Sequence, residues 1–336
     1  MNHGDPSRRQ FLCAAGRLAA GAAAARSLID LPAAAVGSSP ADPPATNPAT
    51  RAASGAAQVV SVRSDDVVRE NIIRLDMLTE MLARCICRLT GQSQIHDAWH
   101  AILRPDDVIG VKFNHVGAPE LATTPLLARV LVRSLTAAGW KARNIILIEA
   151  PDAIREQLGT PAPPYGWSAR EVDFGSGRDR FAAVLDGISA LINVPFLKSH
   201  NIAGISGCLK NLSHGLIRSP ARYHANRCSP FIADIVAAEP IRPKLRLHLV
   251  NALRAVFDKG PTATPETMWP AGTLLASFDP VAADTVGLEM INHQRDAHGL
   301  PPLDDDDQPI PSLHDAERRG LGTTSWDRIR HVKIRL

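Results

Sequence analysis

Between residues 108 and 291 the chain alternates short apolar, β-branched runs with longer amphipathic ones. This alternation restricts the fold more than any other feature of the sequence. The runs 108–113, 144–148, 188–194, 245–250 and 273–277 have the length of strands. Residues 124–138 carry apolar groups at helical spacing and stop at Gly139, and 280–291 reads as a second helix opened by Asp279-Pro280. Upstream, 66–89 places Ile72, Ile73, Leu75, Leu78, Leu82 and Ile86 at helical spacing and closes at Gly91. Strands separated by helices are joined by crossovers and not by tight hairpins. The expected class is therefore α/β, a mainly parallel or mixed sheet with helices on both faces, in a single large domain over 58–336. In such sheets ligands collect at the carboxyl ends of the strands.

Composition narrows the functional classes. The 336 residues are 45% hydrophobic and 21% charged, as in an ordinary globular protein. Aromatics make up only 4%, too few for a stacking platform that binds nucleic acid. The formal charge is +3, but the first 35 residues hold four arginines and two aspartates, so the remainder carries only +1. Neither nucleic acid nor an acidic membrane surface is an expected partner.

The N-terminus explains the excess of arginine. Ser7-Arg8-Arg9-Gln10-Phe11-Leu12 matches the twin-arginine export pattern, and a weakly apolar stretch of Ala and Gly follows it. That stretch is too short and too weakly hydrophobic to make a stable span, and Ala33-Ala34-Ala35 offers a small-residue cleavage site. Residues 1–35 are expected to be a twin-arginine signal and 36–57, rich in Pro, Ala and Ser, a disordered tether. The expected location is periplasmic or secreted, with the export machinery as a partner. Because the twin-arginine route carries folded proteins, many of them already loaded with a cofactor, a metal or redox group stays open.

The cysteines do not supply that group by themselves. Cys85 and Cys87 fall in the helical stretch, where side chains two apart point away from each other. Cys208 and Cys228 could pair in an oxidising compartment, but their spacing alone cannot decide it. The close cysteine spacing of ferredoxins is absent, so no self-contained iron–sulfur cluster is expected.

The polar residues near the predicted strand ends form a pattern. Asn193-Val194-Pro195-Phe196-Leu197-Lys198-Ser199-His200 is followed by Gly204-Ile205-Ser206-Gly207-Cys208-Leu209-Lys210-Asn211. Val111-Lys112-Phe113-Asn114 precedes it, and Tyr223-His224 and Ala276-Ser277-Phe278-Asp279-Pro280-Val281-Ala282-Ala283-Asp284 follow. Together these segments resemble the family catalogued as domain of unknown function 362 (DUF362), over roughly residues 105–295. The family has no settled activity, so the resemblance implies a fold and a site rather than a reaction. Iron–sulfur domains accompany it in some longer proteins, which implies a redox partner on another chain. One departure stands out: where many members carry an acid before the Gly-Pro turn, this chain has Asn251.

Physically, two lysines and a histidine around a glycine-rich turn that opens a helix make an anion site. Lys112, Asn114, Lys210, Asn211, Gly204 and Gly207 are the expected ligand-binding residues, with the two glycines allowing close backbone approach. His200, His224 and Lys198 are the expected catalytic residues, as acid/base groups and charge stabiliser. A transition metal competes for the same region, with His200, His214 and His224 and with Glu149, Asp279 or Asp284 as candidate ligands. Asp279 before Pro280 also reads as a helix N-cap.

Other features are weaker. His96 and His100 lack the glutamate and third ligand of a zinc helix, Gly175-Ser176-Gly177 reads as a turn, and 304–307 reads as a solvated loop. Two functions follow from different classes. One is an exported enzyme acting on a small anion. The other is a non-catalytic periplasmic protein that binds a metal or assists an iron–sulfur redox partner.

Overall fold

A computed structural model describes residues 56–69, 72–305 and 307–336. The segment expected to be an export signal, 1–35, and all but the last two residues of the expected tether lie outside the described residues. Ten strands build one mixed, mainly parallel sheet: β1 Ala57–Arg63, β2 Ile109–Lys112, β3 Ile145–Ile148, β4 Ala190–Asn193, β5 Phe196–His200, β6 Gly204–Ser206, β7 Leu245–Val256, β8 Met268–Trp269, β9 Thr273–Ser277 and β10 Ile329–Arg335. The order along the sheet is β10-β1-β9-β7-β4-β2-β3, with β5 and β8 pairing β7 and β6 pairing β5. The pairs β2/β3, β2/β4, β4/β7, β5/β7 and β1/β10 are parallel.

Alternation along the strands divides the core into two layers. On β1, Val59 packs with one cluster and Val60 and Val62 with the other; on β7, Val250 and Ala252 oppose Leu249 and Leu253. Helices α1 Leu75–Thr90 and α2 Thr124–Ala137 cover one face through Leu78, Leu82, Leu127 and Leu131. Helices α3 Cys208–Ser213, α4 Phe231–Ala237, α5 Pro280–Asp296 and α6 Pro311–Arg318 cover the other through Leu209, Ile232, Val286 and Leu313. Helices bury both faces, so a strand residue gains the full burial term of about 1.5–3 kcal/mol per large aliphatic side chain.

Some expectations need correction. The helix placed at 66–89 starts only at Leu75, because Val68–Arg69 and Ile72–Ile73 pair as a short antiparallel ribbon. Strand β1 begins at Ala57, inside the segment assigned to the tether. The hairpin Trp167–Asp173/Arg178–Ala182 and strand β10 were not anticipated: one is largely exposed, and the other alternates charges with Ile329, Val332 and Ile334 at the sheet edge. Gly175-Ser176-Gly177 is the turn of that hairpin. Among the described residues no helix is long and apolar enough to cross a membrane.

Candidate functional site

Register brings the first group of polar residues together. Lys112 ends β2 opposite Ile148 of β3 and Asn193 of β4. The next residue after Ile148, Glu149, takes a left-handed backbone (φ 58°), and its carboxylate meets Lys112 Nζ at 3.0 Å. Lys112 is 0% exposed, and its ammonium also donates to Phe113 O at 2.7 Å and Asn211 Oδ1 at 3.1 Å. All three of its N–H groups therefore have a protein acceptor. Asn211 Nδ2 donates to Asn193 Oδ1 at 2.8 Å, and Asn193 Nδ2 donates to Cys208 O and to His248 Nδ1. Burial alone would raise the Glu149 carboxyl, but Lys112 and His115 outweigh it and hold it down at about 2. Burial lowers Lys112 while Glu149 opposes the shift.

The second group lies on β5 and α3. Lys198 and His200 are two apart on β5, so they share a face. Both belong to the strand itself and do not follow one. Lys210 and Asn211 are adjacent on α3 and diverge by about 100°. Asn211 turns to Lys112, whereas Lys210 Nζ reaches His224 Nε2 at 3.1 Å. Lys198 is 0% exposed, and its ammonium donates to Val116 O at 2.5 Å. Lys210 is 8% exposed. Each of these ammonium groups has one acceptor among the described residues and no ion-pair partner. Burial pulls both down to about 8; for Lys198, Glu149 and Glu120 oppose the shift only through space.

The histidines around them are neutral. His200 Nδ1 accepts from the N–H groups of Ile202 and Ala203 at 3.1 and 3.2 Å, which puts the ring proton on Nε2. Burial, then Lys210, His224 and Lys198, push His200 down to about 3. Its ring stacks over His224 at 6.1 Å. His214 is pushed down to about 2 by burial and by Lys210, and it meets His224 edge-on at 4.4 Å. Cys228 is buried beside them, and burial raises its thiol. Asn226, Arg227 and Cys228 are consecutively left-handed, with φ of 49°, 53° and 65°. For non-glycine residues such a conformation costs on the order of 1 kcal/mol each.

Several expected ligands have other employment. Gly204 (φ 80°) faces Ile310, whose side chain lies 2.7 Å from where a Cβ would stand. At Gly207 a Cβ would fall 2.1 Å from Asp284 Oδ1. That carboxylate already accepts from Cys208 N and Leu209 N at 2.5 and 3.0 Å, so the start of α3 holds an internal anion in place of a ligand. Asn114 Oδ1 caps its own turn by accepting from Val116 N. Asp279 accepts from Ala282 N and Thr323 N and is the N-cap of α5. Burial raises both aspartates to about 6. Among the described residues, one group of three metal-capable side chains has donor atoms within 4.8 Å of one another: His214, His224 and Cys228. Of the metal candidates from the sequence, His214 and His224 belong to it, whereas His200, Glu149, Asp279 and Asp284 do not. Asn251 is buried as a neutral partner of Thr123 Oγ1.

Cys85, Cys87, Cys208 and Cys228 are all free. His100 contacts Ala138 O near the end of α2, as a capping residue would. Two surface cavities of about 1120 and 550 Å³ lie elsewhere, lined by no residue of the lysine–histidine cluster.

Residues 168–289 match the family model described as "Domain of unknown function (DUF362)". The match is narrower than the resemblance over 105–295. It includes Lys198, His200, Lys210, His214, His224 and Cys228 and leaves out Lys112, Asn114 and Glu149. No curated protein is similar enough to count as a relative. Two solved structures are distantly similar. One is a protein from Thermotoga maritima, with a TM-score of 0.36, 13% identity, and coverage of 66% of this chain and 59% of that one. The other is the lactate racemase apoprotein from Thermoanaerobacterium thermosaccharolyticum, with a TM-score of 0.36, 12% identity, and coverage of 71% and 57%. The chain thus spans less than two thirds of either.

Proposed function

We propose that Lys198, Lys210, His200 and His224 bind a small anion of phosphate or carboxylate size, in a protein exported by the twin-arginine route. The observation that carries this reading is the hydrogen-bond inventory of the lysines. Lys112 has three acceptors for three N–H groups, whereas Lys198 and Lys210 have one each and no ion-pair partner among the described residues. Two buried ammonium groups with N–H to spare are costly unless something negative completes them. His200, protonated at Nε2 by its backbone contacts, supplies a neutral donor beside them. An anion that arrives there forms charge-assisted hydrogen bonds in a region from which water is largely excluded. In an enzyme the same field would stabilise charge that develops on a bound carboxylate or phosphate, and His224 would exchange a proton with Lys210.

The test is calorimetry and thermal melting of the purified protein with phosphate, sulfate and acetate. One anion per chain should bind and raise the melting temperature, as mass action requires for a ligand of the folded state. Failure of every anion to bind the wild type overturns the reading. Export is tested separately by fusing residues 1–57 to a reporter. Unchanged export of the Arg8→Lys, Arg9→Lys double variant by that route overturns it.

A further inference from the structure

We propose that His214, His224 and Cys228 form a binding site for one thiophilic d10 cation, Cu+ in preference to Zn2+. The inference goes beyond the anion reading and shares only His224 with it.

The tautomers carry the argument. His214 Nε2 lies 3.1 Å from Tyr223 O, and His224 Nδ1 lies 3.0 Å from Pro220 O. A carbonyl oxygen can only accept, so both of these ring nitrogens bear the hydrogen. That leaves lone pairs on Nδ1 of His214 and Nε2 of His224. A histidine whose second nitrogen donates to a backbone carbonyl is oriented and made more basic, which is the arrangement found behind metal-bound imidazoles. The His224 lone pair presently accepts from Lys210 Nζ at 3.1 Å; Ser213 Oγ lies 3.1 Å from His214 Nδ1 but donates its hydrogen to Lys210 O. Cys228 Sγ and one ring nitrogen of each histidine make a set of three donor atoms within 4.8 Å of one another. The sulfur is brought there by three consecutive left-handed residues, none of them glycine. Such strain concentrates where a side chain must be held in place.

Donor type and charge select the metal. One thiolate and two imidazoles suit soft or borderline cations and exclude Ca2+ and Mg2+. When the Cu–S bond forms, the Cys228 proton leaves to solvent and the oxidation state does not change. Cu+ with one thiolate is then neutral, whereas Zn2+ would leave a net positive charge beside Lys210 and would lack a fourth protein ligand. Lys210 must release His224 Nε2 for the metal to enter. It is a competitor, and its removal should help binding.

The test is anaerobic titration of the purified protein with Cu+ against a chromophoric chelator, with Zn2+ as the second arm. One Cu+ per chain should bind, more tightly than Zn2+, and X-ray absorption should show one sulfur and two nitrogens around it. Cys228→Ser should weaken binding by more than the 10–100-fold typical of losing an outer partner, while Lys210→Met should tighten it. Absence of sulfur from the first shell in the wild type overturns the proposal whether or not Cys228→Ser folds. So does tighter binding of Zn2+, or Cu+ affinity that depends on Cys87 and not on Cys228. Phosphate binding by Cys228→Ser keeps the two readings apart: it should be unchanged, and Lys198→Met should weaken phosphate binding but keep Cu+ affinity.

Discussion

Two parts of one polar seam bury lysines under opposite conditions. At the end of β2, Lys112 is enclosed by Glu149, Asn211 and Phe113 O, and every hydrogen it carries has an acceptor. On β5 and α3, Lys198 and Lys210 are about as deeply buried yet have a single acceptor each. Burial class does not separate the two situations, and neither does residue type; the count of unfilled N–H groups does. The first lysine is a structural post that ties three strands and a helix together. The other two are charges held ready.

The sharpest way to break this contrast is Lys112→Met. It should leave the Glu149 carboxylate without its cation and Asn211 Oδ1 without a donor, costing about 3–5 kcal/mol, the range for removing one partner of a buried pair. Urea unfolding measures it directly. A loss below that of Lys198→Met would show that the post and the poised charges have been assigned the wrong way round. The double variant Lys112→Met, Glu149→Gln should recover part of the loss, because the stranded charge is then gone.

Gly207→Ala probes the turn that the sequence assigned to ligand contact. The added Cβ would sit 2.1 Å from Asp284 Oδ1 and push away the carboxylate that caps α3. The expected cost is about 1–3 kcal/mol of stability, the range for overpacking. Phosphate affinity should stay the same once the folded fraction is taken into account. An affinity loss with unchanged stability would return the turn to the ligand.

These two variants also show what was legible in the sequence. Helices α1, α2 and α5, the mixed sheet and the strands at 144–148 and 273–277 follow from apolar period, because burial on two faces writes a continuous apolar run along a strand; the short helices α3, α4 and α6 do not. Asp279 as an N-cap could be read from its proline. The division of labour among the lysines could not, because it depends on Ile148 lying opposite Lys112 and on Asp284, 76 residues beyond Cys208, reaching the start of α3. Lys112, Lys198 and Lys210 lie close enough to act on one another through space, but their spacing in sequence says nothing about acceptors. Cys228 had only its spacing to Cys208 to speak for it, and its three left-handed residues contain no glycine to announce them.

Lys198→Met measures the poised charge itself. Phosphate binding should weaken by about 1–3 kcal/mol, the value of a charge-assisted hydrogen bond. Thermal stability without ligand should change little, since the lost donation to Val116 O is offset by relief of a buried charge. If the variant melts lower and binds as before, Lys198 is a second post and the contrast collapses.

The smallest effect is the most diagnostic of sign. Lys198 in the folded chain titrates near 8, against 10.5 ordinarily. Between those values the unfolded chain keeps a proton that the folded chain has released, so rising pH favours folding. The penalty for the buried ammonium is complete below pH 8 and relieved as pH climbs towards 10.5. Wild-type stability minus that of Lys198→Met should therefore be flat up to pH 8 and then rise by at most about 1.4 kcal/mol per pH unit. The thiols of Cys85 and Cys208, raised by burial, act in the opposite direction but equally in both proteins, so they cancel in the difference. Saturating phosphate should pull the lysine back up and shift the rise to higher pH. Urea titrations at half-unit steps from pH 7.5 to 10.5 would show it, and a difference that stays flat throughout would mean that burial does not depress Lys198 in the folded chain.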